Sequence, residues 1–130
     1  MKTVTIIVPC YNEESNIDLL YDRLKKLTDS LSGYDFQILL VNDGSKDNTL
    51  SKMQELHETD KTVSYLSLSR NFGKENAMLA GLDYAEGDAV ILMDADLQDP
   101  PELIPQMLAE WEKGYDDVYA RRRSRAGKPG

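Results

Sequence analysis

The stretch "DAVILMDADLQDPPE", residues 88–102, decides the fold, because a nearly apolar run ends there abruptly in acidic residues. A short apolar run of this kind is typical of a strand buried on both faces in a parallel sheet. Two prolines follow, and proline suits the first turn of a helix. The stretch therefore predicts a buried strand over 88–93, a polar loop, and a helix over 101–113 that Pro101 opens.

The same alternation of short apolar runs with amphipathic segments continues along the rest of the chain. Apolar residues recur at helical spacing from Ile17 to Leu31, which predicts a first helix. Further strands are predicted at 3–8, 36–41, 63–68 and 116–120, and further helices at 47–58 and 74–85. This order predicts an α/β fold with a mostly parallel sheet and helices on both faces.

Length and composition restrict the class of protein. The 130 residues, 41% hydrophobic and 29% charged, indicate one globular domain. A net charge of −8 argues against nucleic-acid binding, which needs a basic face. The single cysteine, Cys10, allows no intrachain disulfide and is expected to be a small buried apolar residue in a reducing compartment. No segment approaches the ~18–20 apolar residues of a membrane span, so a soluble chain is expected.

Polar clusters follow four of the predicted strands. The carboxyl ends of parallel strands share one edge of a sheet, and ligands of such sheets bind there. The clusters are residues 11–13, 42–45, 70–74 and 94–96. We therefore expect them to lie together around one ligand site.

Asp94 and Asp96 are separated by one residue. In extended backbone two such side chains point the same way, so both carboxylates can reach one ion, and Gln98 offers a third oxygen. Oxygen ligands suit Mg²⁺ or Mn²⁺. The alternative is helix capping, which fits Asp99 beside the prolines, whereas Asp94 and Asp96 lie too far upstream.

Two other acidic positions have both a local and a ligand-binding interpretation. Asp43 after the second strand is typical of a ribose or base contact, but an Asp-Gly pair is equally normal in a tight turn. Glu13 suits the start of a helix by its charge, and a ligand role for Tyr11 and Glu13 depends on their sharing the edge with Asp43 and Asp94.

Basic residues occur at two places. Arg70, Gly73 and Lys74 stand at a predicted helix start, where N–H groups and cations suit a diphosphate. The segment lacks the G-x-G-x-x-G and Walker A patterns, which disfavours a dinucleotide dehydrogenase or a P-loop ATPase. Residues 121–130 are a basic tail, either solvated or acting as a phosphate clamp that is also attracted to anionic lipid.

These motifs together resemble the family 2 glycosyltransferases, in the polyprenyl-phosphate branch that contains undecaprenyl-phosphate glucosyltransferases and dolichol-phosphate mannosyltransferases. The resemblance is carried, in order, by "VPCYNEE", "VNDGSKDNT", "LSRNFGKENAMLAGLDYAEGDAVILMDADLQDPPELIP" and "WEKGYDDVYARRRSR". It implies a GT-A (Rossmann-like) fold. It also implies a nucleotide-sugar-binding part over 1–120, an acceptor-loop-like tail over 121–130, and further catalytic and membrane segments in the full enzyme.

The resemblance also assigns roles to individual residues. It implies a nucleotide-sugar site at the strand ends, formed by Pro9, Tyr11, Glu13, Val41, Asp43, Lys74, Asp94 and Ala95. It implies metal ligation by Asp94, Asp96 and Gln98, with Mg²⁺ or Mn²⁺ as cofactor, and a catalytic role for Asp96 and for Arg122 near the phosphates.

The implied reaction is inverting transfer of a hexose from a nucleoside diphosphate sugar, with UDP-glucose favoured, to a polyprenyl phosphate at the cytoplasmic face of the inner membrane. Self-association of the full-length enzyme is left open. One alternative is a non-catalytic fragment that binds a nucleoside diphosphate. A receiver-type signalling domain fits less well, because it needs an acidic pair after strand one and a lysine after strand five, where this sequence has "PCYNEE" and "ARRR".

Overall fold

The computed structural model of the protein describes residues 2–85, 87–95 and 103–113. In this part of the chain four strands form one sheet in the order β3-β2-β1-β4, and every pairing is parallel. The strands are β1 (Lys2–Cys10), β2 (Tyr34–Asn42), β3 (Val63–Ser67) and β4 (Ala89–Leu92). The predicted α/β architecture with a parallel sheet is confirmed.

Within the described ranges, four helices connect or follow these strands. They are α1 (Ile17–Ser30), α2 (Thr49–Thr59), α3 (Lys74–Tyr84) and α4 (Ile104–Glu112). The chain steps outward from β1 to β3 and then returns to place β4 on the other side of β1. This reversal creates a topological switch point between β1 and β4, where sheets of this type bind ligands.

The larger part of the core lies between one face of the sheet and helices α1, α2 and α4. Alternate residues of β1, including Val4, Ile6 and Val8, point to this face and are fully buried. Helix α1 covers them with a stripe at helical spacing, in which Ile17, Leu20, Leu24 and Thr28 are buried.

The opposite face of the sheet packs against α3. Ile7, Leu39 and Val41 form a second buried cluster with Ala77 and Met78 of that helix. Gly81 allows the close approach, because a Cβ atom at this position would lie 2.7 Å from Ile7 Cγ2. Helices therefore cover both faces, as the sequence predicts.

Several boundaries differ from the predictions by a few residues. Helix α2 begins at Thr49 rather than at residue 47, because the Asp47 carboxylate lies ahead of the helix and accepts the Thr49 N–H at 3.0 Å. Helix α4 begins at Ile104, and its first-turn proline is Pro105. Pro101, the strand predicted at 116–120 and the tail 121–130 lie outside the described residues.

Strand β1 continues through Pro9 to Cys10, two residues beyond the predicted end at residue 8. The Cys10 carbonyl accepts the Asp43 N–H on the β2 side, and the Ile7 carbonyl accepts the Met93 N–H on the β4 side. Successive residues of a strand alternate in this way, so Pro9 faces the β4 side beyond the last paired residues, Ile7 and Leu92. Its missing N–H therefore costs no ladder hydrogen bond.

No helix within the described ranges is long and apolar enough to span a bilayer.

Candidate functional site

A cavity of about 410 Å³ opens at the carboxyl end of the sheet. It lies beside the switch point between β1 and β4, and it is lined by residues from all four strand-end segments. These are Pro9, Cys10, Tyr11, Glu13, Asp43, Asn71, Gly73, Lys74, Asp94 and Ala95. The clustering of strand-end polar groups at one edge is therefore observed in the structure.

The loops after β1 and β2 are held together by reciprocal hydrogen bonds. The Asn12 N–H donates to Ser45 Oγ at 2.9 Å, and the Lys46 N–H donates to Asn12 Oδ1 at 2.8 Å. Asn12 has a φ of 53°, a conformation that asparagine tolerates better than most residues. The Glu13 N–H donates to the fully buried Thr49 hydroxyl at 2.8 Å. These contacts fix the backbone that carries Tyr11 and Glu13.

Asp43 lines the cavity and is only 2% exposed. Its carboxylate accepts the Phe72 N–H at 2.8 Å and the Gly73 N–H at 3.1 Å. Asn71 Nδ2 lies 3.3 Å from Asp43 Oδ2 and 3.2 Å from the Asp43 carbonyl. A buried carboxylate is stable when such donors replace water. Asp43 therefore anchors the loop between β3 and α3, a role that the turn interpretation did not include.

Gly44 brings the loop after β2 against the loop after β3. Its φ is 70°, and a Cβ atom there would lie 2.3 Å from both the Arg70 carbonyl carbon and the Asn71 nitrogen. Only glycine fits this position, since the clash would be with backbone. The Asp-Gly pair thus serves the contact between two loops as well as the turn itself.

Glu13 stands at the turn into α1. Its carbonyl accepts the N–H groups of Asn16 and Ile17, and its Oε1 accepts Asn16 Nδ2 at 2.9 Å. The carboxylate thus supports the start of α1 while lining the cavity. Its charge has a secondary effect on the neighbouring Cys10: burial, and then the Glu13 charge, raise the pKa of the Cys10 thiol well above its usual range. Cys10 is 1% exposed and is the small buried residue that the sequence predicts.

Lys74 and Asp94 meet across the cavity. Lys74 Nζ lies 3.0 Å from Asp94 Oδ1, and the two side chains are 53% and 14% exposed. Asp94 Oδ1 itself is buried and accepts no well-aligned hydrogen bond in the described part of the chain. The contact is therefore an ion pair without good hydrogen-bond alignment.

A divalent cation fits the chemistry of Asp94. A buried carboxylate oxygen that lacks an aligned donor is the type of ligand that Mg²⁺ and Mn²⁺ prefer. Asp96 and Gln98 lie outside the described residues. Within the described ranges no three His, Cys, Asp or Glu side chains converge into a complete metal-binding group. Asp94 is therefore the one predicted metal ligand that the described residues include, and the metal site as a whole stays a prediction.

The predicted site residues divide into three groups. The cavity brings together Pro9, Tyr11, Glu13, Asp43, Lys74, Asp94 and Ala95. Val41 does not line the cavity. Its side chain is fully buried in the core beside Gly81. Arg122, like Asp96 and Gln98, lies outside the described residues.

Asn71 lines the cavity without having had an individual predicted role, and Gly73, which the sequence places at a helix start suited to a diphosphate, lines it too. Both belong to the polar cluster after β3, so their position at the carboxyl edge was the available signal. Their hydrogen bonds to Asp43 join residues 28 and 30 positions apart, and no local pattern reveals such a contact.

The fold and the cavity define the chain as a doubly wound α/β protein with a ligand site at its topological switch point. Its sequence matches the family described as glycosyl transferase family 2 over residues 5–130. The chain therefore belongs to glycosyl transferase family 2.

Two relatives and one solved structure illustrate the similarity. The chain is 50% identical over 125 residues to the uncharacterized glycosyltransferase sll0501 of Synechocystis sp., covering 96% of this chain and 39% of that protein. It is 46% identical over 123 residues to the bactoprenol glucosyl transferase of Shigella phage SfV, covering 95% of this chain and 40% of that protein. The chain spans about two fifths of the length of these curated relatives.

The mannosyltransferase PcManGT from Pyrobaculum calidifontis, solved in complex with GDP-Man and Mn²⁺, has a similar structure. Its TM-score is 0.63 at 28% sequence identity, covering 73% of this chain and 28% of that chain. The expected GT-A, Rossmann-like fold is thereby confirmed.

Proposed function

We propose that the chain forms the donor-binding part of an inverting glycosyltransferase. The enzyme would transfer a hexose from a nucleoside diphosphate sugar to a polyprenyl phosphate. The observation that carries this proposal is the strand-end cavity, which brings Tyr11, Asp43, Lys74 and Asp94 together in a family 2 chain. The similarity to a bactoprenol glucosyl transferase favours UDP-glucose as donor and a polyprenyl phosphate as acceptor.

The donor nucleoside would occupy the part of the cavity nearest β1 and β2. A cavity of about 410 Å³ lies within the size range of small-molecule sites. Tyr11 is 40% exposed and is thus available to a base, and Pro9, Glu13 and Asp43 line the same cavity. Val41 would contribute through its backbone position after Leu40, since its side chain is buried in the core.

The donor diphosphate would lie towards Asp94 and Ala95. We propose that Asp94, Asp96 and Gln98 hold Mg²⁺ or Mn²⁺, which would supply Lewis-acid stabilisation of the leaving nucleoside diphosphate. Lys74 at the start of α3 supplies a second positive charge to the same place. By resemblance, we expect Arg122 to supply a further positive charge from the acceptor side.

The acceptor phosphate is already ionised near neutral pH, so it needs positioning and charge shielding more than a strong base. The basic residues of 121–130 suit this task, because arginine pairs with phosphate through two parallel hydrogen bonds. They would also attract the tail to anionic lipid at about 1 kcal/mol per residue. The proposed site of action is therefore the cytoplasmic face of the inner membrane.

Calorimetric titration of the chain with UDP, GDP and UDP-glucose, each with and without Mn²⁺, tests the donor assignment. We expect UDP and UDP-glucose to bind in the presence of Mn²⁺. Asp94→Asn should weaken that Mn²⁺-dependent binding more than about tenfold. Asp35→Asn is the matched control, because Asp35 is exposed at the amino end of β2. A preference for GDP would overturn the choice of base, and the absence of any nucleotide binding would overturn the function.

Transfer of labelled glucose to undecaprenyl phosphate separates an enzyme from a non-catalytic nucleotide-binding fragment. Transfer by the chain, abolished in Asp96→Ala without loss of fold, is the result expected of an enzyme. Nucleotide binding with neither transfer nor sugar hydrolysis would favour the binding fragment. Undiminished transfer by Asp96→Ala would contradict the metal assignment.

A further inference from the structure

Lys74 is the one cationic side chain among the described residues that line the cavity. Its ammonium group lies 3.0 Å from Asp94 Oδ1, the carboxylate oxygen to which a divalent cation is assigned under the proposed function. The lysine thus occupies the neighbourhood in which that cation would stand.

Asp94 needs a positive partner because its carboxylate is largely buried. Its side chain is 14% exposed, and Oδ1 accepts no well-aligned hydrogen bond within the described ranges. A buried carboxylate without compensation is costly. Lys74 supplies that compensation through charge alone.

Lys74 is also able to leave. Its side chain is 53% exposed, so the ammonium group stays in contact with water and keeps its hydration when it leaves Asp94 for another anion. Its backbone, by contrast, is fixed: the preceding Gly73 donates its N–H to Asp43, and the Gly73 carbonyl accepts the Ala77 N–H at 2.9 Å in the first turn of α3. A flexible side chain on a fixed backbone can move between two nearby anions.

We propose that Lys74 is an internal counter-cation that competes with the divalent cation for Asp94 and moves to the donor diphosphate when cation and nucleotide are both bound. This inference rests on the proposed function. Lys74 then opposes binding of the free cation but favours binding of the cation together with the nucleotide.

Titration of the chain with Mn²⁺ alone, followed by water-proton relaxation or calorimetry, tests the competition. Lys74→Met keeps the length of the side chain and removes the charge, so it should bind Mn²⁺ about fivefold more tightly than the wild type. Lys61→Met is the matched control, because Lys61 is exposed ahead of β3 at the opposite end of the strands. It undergoes the same charge change and should leave Mn²⁺ affinity unchanged. Lys74→Arg keeps the charge and should behave like the wild type.

A second titration, with UDP at saturating Mn²⁺, tests the transfer of Lys74 to the diphosphate. Here Lys74→Met should bind UDP about fivefold more weakly than the wild type, which reverses the direction of the first effect. Equal or weaker Mn²⁺ binding by Lys74→Met, or no Mn²⁺ binding by either protein, would overturn the inference. If the competition for Mn²⁺ is found but no nucleotide binds, the proposed function fails while the Lys74–Asp94 competition stands.

Discussion

The Asp43 carboxylate accepts the Gly73 N–H at 3.1 Å and so joins the end of β2 to the start of α3. It also accepts the adjacent Phe72 N–H at 2.8 Å. Gly73 is the residue that immediately precedes α3, with a φ of 97°. A single buried carboxylate therefore fixes the start of α3 and with it the backbone position of Lys74. This contact links the second strand of the sheet to the cationic part of the cavity.

Asp43→Asn should destabilise the protein by about 2 kcal/mol, because an amide replaces one carboxylate oxygen with a donor that faces backbone N–H groups. Amide hydrogen exchange should show loss of protection at Phe72 and Gly73 before the rest of α3. Asp83→Asn, on the exposed side of α3, is the matched control and should change stability by less than about 0.5 kcal/mol. Unchanged protection at Gly73 in Asp43→Asn would contradict the anchoring role.

Gly44→Ala should destabilise the protein by more than about 3 kcal/mol, measured by urea unfolding, because the new Cβ atom would meet backbone 2.3 Å away. Gly33→Ala separates this clash from backbone strain. Gly33 also has a positive φ, of 96°, but nothing lies within 4 Å of its Cβ position. Gly33→Ala should therefore lower the free energy of unfolding by only about 1–2 kcal/mol. Equal losses in the two variants would show that the two loops can separate.

Cys10 should be protected from thiol reagents in the folded protein. It is 1% exposed, its thiol lies 3.5 Å from the Val8 carbonyl, and burial raises its pKa. Since the chain has a single cysteine, the labelling signal belongs to this residue. At pH 8 we expect labelling at least about a hundredfold slower than in urea, because reaction requires opening of the core. Rapid labelling of the native protein would mean that the core around Cys10 opens readily.

The architecture was predictable because hydrophobic periodicity reports burial directly. The run at 88–93 is apolar at nearly every position since β4 pairs with the central strand β1 and is covered on both sides. Boundaries were less predictable, because they depend on side chains that compete with the helix for backbone groups. Asp47 is an example, since its carboxylate accepts the Thr49 N–H and holds residue 47 ahead of α2.

The composition of the candidate site was predictable in part. Strand order along the chain is enough to expect Tyr11, Asp43 and Asp94 at one edge of a parallel sheet. The contacts between them were not, because they join segments distant in sequence, as in the ion pair between Lys74 and Asp94. The burial of the Val41 side chain was not predicted either, and it means that any contact of Val41 with a ligand has to come from its backbone.

Asp60 connects α1 to the turn between α2 and β3, away from the cavity. Its carboxylate accepts the Tyr21 hydroxyl at 2.5 Å, the Thr62 hydroxyl at 2.6 Å and the Thr62 N–H at 3.0 Å, and Lys25 Nζ lies 3.3 Å away. Burial alone would raise the pKa of Asp60, but these hydrogen bonds outweigh burial and hold it well below its usual range. Burial, together with the hydrogen bond to Asp60, raises the pKa of Tyr21 to about 12.

Asp60→Asn should lower the free energy of unfolding by about 2 kcal/mol at pH 7, because the charged hydrogen-bond acceptor is lost. A carboxyl whose pKa is lower in the folded state contributes stability that is present above its unfolded pKa of about 3.9 and is lost as pH falls towards the folded value. The difference in unfolding free energy between wild type and variant should therefore narrow from pH 7 to pH 3 in urea titrations. Asp29→Asn, which removes an exposed partner of Lys25, is the control. It should change the free energy of unfolding little at either pH. A difference that stays constant between the two pH values would contradict the lowered pKa of Asp60.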